Sequence, residues 1–65
     1  MTKKVNVDLI TEFRKANKLT IEKFCEKSNI GATTYRNIIK ESRASVQTLF
    51  GIARAMNISV TQLFN

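Results

Sequence analysis

The side chains of this sequence that are equipped for chemistry are few, and most are cations or amides. There is no His and a single Cys, Cys25. A chain so furnished cannot assemble an internal disulfide, a zinc site or a His-assisted nucleophile. The two glycines, Gly31 and Gly51, do not form a phosphate-cradling pattern. No catalytic residue, metal ligand or cofactor is therefore expected, and enzyme is a poor reading. What remains is charge and hydrogen bonding. Eleven Lys and Arg stand against five Asp and Glu, a net charge of +6. Such a field attracts polyanions, nucleic acid first among them. Arg36, Asn37 and Lys40 form the densest group of cation and amide side chains in the central stretch.

Those side chains need a mount, and the residues on either side describe one. Two helices joined by a three- or four-residue turn must cross steeply. The first helix then needs a small residue at closest approach, and Cys25 stands there. The turn needs a residue that tolerates positive φ, and Asn29 supplies it. An apolar plug, Ile30, follows. The second helix needs apolar residues three apart facing back, and Tyr35 with Ile38 close on Phe24. These positions fall at helix-turn-helix spacing.

The rest of the chain reads as helix as well. Sixty-five residues make one small domain, 1–65, without Pro and with 43% hydrophobic residues. Residues 1–5 read as a flexible basic arm. Asn6 caps a first helix to about Ala16, with Leu9, Ile10 and Phe13 on its apolar side and Asp8 in its first turn. Thr20 caps the second helix, to about Ser28, and the third runs from Ala32 to about Lys40. Glu41 to Ala44 reads as a polar loop. Ser45 caps a fourth helix to about Met56, carrying Val46, Leu49, Ile52 and Ala53 at helical spacing. Ser59 with Gln62 is a capping box opening a short fifth helix. The expected class is all-α, with five helices. No apolar run has the length of a membrane span, and the N-terminus lacks the apolar core of a signal peptide. A soluble, cytoplasmic protein is expected.

Taken together, Leu19-Thr20, Cys25, Asn29-Ile30-Gly31 and Tyr35 with Ile38 resemble the lambda-repressor-like family, also called Cro/CI or Xre-type. The resemblance runs from about Ile10 to Phe64. Its most specific part is the tail: Leu49, Ile52-Ala53, Met56, Ile58-Ser59 and Leu63-Phe64 at the family's spacing. It implies a sequence-specific regulator of transcription, a repressor, bound to double-stranded DNA with its third helix in the major groove. By position, Ala32, Thr33, Arg36 and Asn37 would meet bases, Asn37 bidentate on an adenine edge. Lys18, Thr20, Thr34, Lys40 and Arg43 would meet phosphates. The family usually binds near-palindromic operators as homodimers, which makes Phe50, Val60 and Phe64 the candidate interface. With no second domain, no small-molecule ligand is expected.

Three positions depart from the family pattern. Ile21 stands where many members carry a Gln that supports a phosphate contact. Ile39 stands where many carry a Glu paired to the residue equivalent to Arg14. Gly31 stands where a Ser or Thr would cap the recognition helix. The alternative function is a protein-interaction module, an antirepressor or partner-binding subunit that kept the fold without specific DNA reading. Simpler roles are also open at single residues. Phe13, Phe24, Tyr35 and Phe50 follow the helix faces as core would, and Lys23 with Lys27 fits a solvated face. Cys25 fits a small packing residue. Ile21 and Ile39 fit either a core extension or an exposed apolar rim used by a partner protein or a thymine-rich groove. Gly51, mid-helix at a cost of about 1 kcal/mol against Ala, is either incidental or a point of close approach for another chain.

Overall fold

Short polar side chains set most of the helix starts. Asn6 accepts a hydrogen bond from the Leu9 amide at 3.3 Å and opens α1 (Val7–Ala16). Thr20 accepts from the Lys23 amide at 3.1 Å and opens α2 (Ile21–Ser28). The third helix, α3 (Ala32–Glu41), starts at Gly31, which has no side chain to offer as a cap. Ser45 accepts from the Thr48 amide at 3.2 Å and opens α4 (Val46–Met56). This computed structural model describes residues 2–64. Met1 and Asn65, the ends of the expected 1–65 domain, lie outside the described residues.

Helix ends share a second device. Lys18, Asn29, Ser42 and Asn57 all have φ between 54° and 58°. After α1, α2 and α4 the reversal has the same two bonds. The left-handed residue's amide donates three residues back, and the next amide donates five back, from Leu19 to Arg14, Ile30 to Cys25 and Ile58 to Ala53. Each of those following residues is apolar and packs against the core. After α3 a single bond suffices, from the Ser42 amide to the Ile38 carbonyl at 2.7 Å.

Two features differ from an all-α, five-helix expectation. The segment read as a basic arm contains a strand, β1 (Thr2–Lys4), antiparallel to β2 (Arg43–Ser45). Thr2 pairs with Ser45, Lys3 with Ala44 and Lys4 with Arg43. Val5 fastens this ribbon to the body. It is 1% exposed, bridges to Phe64, and donates its amide to the Ser42 carbonyl at 2.8 Å. Burying a Val side chain is worth about 1.5–3 kcal/mol, which offsets part of the entropy cost of ordering the segment, the ladder hydrogen bonds adding to it. The expected polar loop from Glu41 to Ala44 is correspondingly the end of α3, one turning residue and most of β2, with Ala44 buried. The expected fifth helix is one 3-10 turn, Val60–Leu63, in which the Ser59 amide donates to Gln62 Oε1 at 3.2 Å.

The core is centred on Phe24, fully buried on α2. Its ring meets Phe13 of α1 edge-on at 6.2 Å and Tyr35 of α3 at 5.6 Å. Ile10, Leu49, Ile52 and Leu63 complete it, each with no exposure. Phe50 is not core: it is 55% exposed.

A contact within the chain is enough to require glycine at position 51. A Cβ at this position would lie 2.7 Å from the Ser28 carbonyl oxygen at the end of α2. Gly51→Ala would ordinarily stabilise a helix by about 1 kcal/mol. Here the added methyl must push α4 off α2, so the variant is expected to lose about 1–3 kcal/mol in urea denaturation.

Candidate nucleic-acid interface

The turn between α2 and α3 aims the second helix. Asn29 has φ 58° and ψ 44°, a conformation a short amide side chain tolerates. Ser28, 3% exposed, donates its hydroxyl to the Phe24 carbonyl at 2.7 Å and so hides its own polar atom. Ile30 then packs inward, and Tyr35 and Ile38 of α3, each 3% exposed, seat that helix on Phe24.

With Tyr35 and Ile38 fixed inward, helical periodicity assigns the outward face. At about 100° per residue, Thr33, Arg36, Asn37 and Lys40 fall opposite the two buried side chains, and all four are exposed. The fold thus gathers one hydroxyl, one amide and two cations on one surface. Thr34 is exposed on the flank of that face. Ala32 is half-buried and turns toward α2, beside Glu22, Cys25 and Glu26. Two carboxylates therefore border the first turn of α3 on its α2 side.

The residues expected at phosphates lie around this helix. Lys18 and Thr20 are exposed at the entrance to α2, where Thr20 spends its side-chain oxygen as a cap. The Gly31 start leaves the first amides of α3 without a side-chain cap. Arg43, exposed on β2, donates its Nε to Thr2 Oγ1 at 3.0 Å. That bond ties it to β1, and Lys4 is its register partner. Lys3 and Lys4 therefore join Arg43 on one ribbon, a grouping that nothing local in the sequence signals. Lys3 Nζ sits 5.5 Å over the Phe64 ring.

Arg14 lacks the carboxylate partner that the family pattern pairs with it and uses neutral acceptors instead. Its Nε donates to Tyr35 Oη at 3.2 Å and another guanidinium nitrogen donates to the Leu19 carbonyl at 2.9 Å. The three expected interface residues are not presented alike. Phe50 projects beside Lys27, Ile30 and Arg54, whereas Val60 and Phe64 are half-buried against the core, Phe64 beside Val5.

This arrangement, two helices crossing at a left-handed turn with the second presenting a polar, cationic face, defines a helix-turn-helix protein. The family model described as helix-turn-helix matches residues 10–63, and the chain belongs to this family, of the Xre or lambda-repressor-like kind. Its members are DNA-binding regulators of transcription and are generally not enzymes. No curated protein and no solved structure matches the chain significantly. Among the described residues no helix is long and apolar enough to cross a membrane.

Cys25, directly beneath α3, belongs to the packing. Desolvation by burial pushes its thiol pKa up, and Glu22 adds to this, while Arg36 works in the opposite direction. The unfolded thiol therefore ionises first as pH rises. Stability from this group is unaffected below the ordinary thiol range and lost above it. The wild-type urea midpoint should fall more steeply than that of Cys25→Ala between about pH 8 and 10, and parallel curves would remove the buried thiol as the cause.

Proposed function

We propose that this protein is a sequence-specific repressor that reads double-stranded DNA with α3 in the major groove. One observation carries the reading: Thr33, Arg36, Asn37 and Lys40 share the single face of α3 left exposed by Tyr35 and Ile38. Asn37 has the donor–acceptor pair that matches an adenine edge, Arg36 the fork that matches guanine, and the Thr33 methyl suits thymine. Ala32 stands at the edge of this set. Lys18, Thr20, Thr34, Lys40 and Arg43 supply the phosphate contacts, joined by the amides at the start of α3. Lys4, the register partner of Arg43, extends that cationic border along the ribbon. The protein works in the cytoplasm as a homodimer on a near-palindromic operator. Phe50, the large apolar side chain most open to a second subunit, supports that assembly, with Val60 and Phe64 as further candidates.

Selection from a random duplex pool, followed by salt titration of the enriched site, tests the reading. A palindrome should emerge, with affinity falling steeply as salt rises. Failure to enrich any sequence, with feeble binding even at low salt, would end it. On the selected site, Asn37→Ala should cost about 1–3 kcal/mol and relax preference at one base pair. Lys40→Ala should weaken all sequences alike and lower the salt slope by about 1.

A further inference from the structure

A groove lies beside the proposed DNA face, between α1, the start of α2 and α3. Ile21 and Ile39, both half-buried, form its floor. Arg14, Lys15, Arg36 and Lys40 stand around it. Two aliphatic side chains thus lie among four cations. Tyr35, whose hydroxyl accepts a hydrogen bond from Arg14 Nε at 3.2 Å, also lines it.

We propose that this groove docks an acidic segment of a partner protein, an aliphatic side chain seated on Ile21 and Ile39 with flanking carboxylates on the cationic rim. Charge complementarity selects an acidic occupant, and the aliphatic floor selects a peptide over a phosphodiester. A phosphate pressed on two isoleucines would lose water and gain no donor there, whereas an aliphatic side chain gains from the same burial. Arg36 and Lys40 belong both to this rim and to the proposed DNA face. An occupied groove therefore withdraws two cations from DNA, and the partner acts as a competitor. That consequence rests on the DNA-binding reading, while the docking itself does not.

The test uses the intact chain and two fluorescein-labelled peptides of equal charge. One has a Leu-Leu pair between runs of Asp, and the other has Gly-Gly in its place. The Leu peptide should bind at least about tenfold more tightly, the worth of one buried aliphatic side chain. Ile39→Thr, which keeps the charge, should reduce that preference to about threefold or less. Lys15→Glu, an exposed change that leaves the core alone, should weaken both peptides together. Equal binding of the two peptides overturns the proposal, as does a preference untouched by Ile39→Thr. Movement of the Ile21 and Ile39 methyl resonances by duplex DNA but not by the Leu peptide overturns it in favour of a DNA-backbone site. Displacement of the selected duplex by the Leu peptide is expected, and simultaneous binding of both overturns the competition. Should the chain bind no duplex at all, the DNA reading fails while the peptide comparison still decides the groove.

Discussion

The backbone from Ser28 to Ile30 is the constraint on which the rest of the molecule depends. Asn29 must hold a left-handed conformation for α2 to stop and α3 to leave in a new direction. The same few atoms also receive α4, because the Ser28 carbonyl lies where a side chain at position 51 would be. The three helices α2, α3 and α4 are thus registered at one point. Any shift of Ser28 is transmitted to the aim of α3 and the seat of α4 together, since close-packed interiors do not deform continuously.

From that point the functional surface follows largely by exclusion. Phe24 takes one aromatic ring from α1 and one from α3, and those two contacts fix the rotation of both helices about their axes. Once Tyr35 is inward, Arg36 and Asn37 cannot be. The chemistry on the outer face is therefore positioned by apolar packing, as a rigid binding surface requires. The electrostatics are laid over this scaffold unevenly. Glu22 and Glu26 border the Ala32 end of α3, while Lys15 and Lys40 border the other side along with Arg14. The domain is thus polarised across α3, which favours one orientation of approach to a polyanion.

Most helix limits were legible because caps and turn residues act locally. Asn6, Thr20 and Ser45 bond amides three residues away, and Asn29 needs only its own φ. The alternation of exposed and buried residues on α3 was legible for the same reason. What escaped was long-range. The ribbon joins residues about forty apart in sequence, and its anchor, Val5, is one apolar residue among polar neighbours. The purpose of Gly51 depends on Ser28, which no sequence pattern connects to it. The tail matched the family well, yet so short a segment completes only one 3-10 turn before Phe64 turns extended to meet Val5. Phe50 sits in a helix whose other large apolar residues are buried, and composition alone could not set it apart.

The departures at positions 21 and 39 look like losses when each is weighed against a polar residue, but together they alter the balance of the surface. An exposed ion pair between Arg14 and a carboxylate at 39 would have contributed about 0–1 kcal/mol. Half-burying an isoleucine against the core returns a comparable amount, since full burial is worth about 1.5–3 kcal/mol. Stability is thus nearly indifferent to the exchange. The field is not. Arg14 is held by a hydroxyl and a carbonyl, neither of which cancels its charge, and position 39 offers it no carboxylate. The chain keeps its fold with one more uncompensated cation beside α3 and an aliphatic floor beneath it. A cationic rim strengthens the pull on any polyanion at long range, while the aliphatic pair offers close contact only to apolar groups.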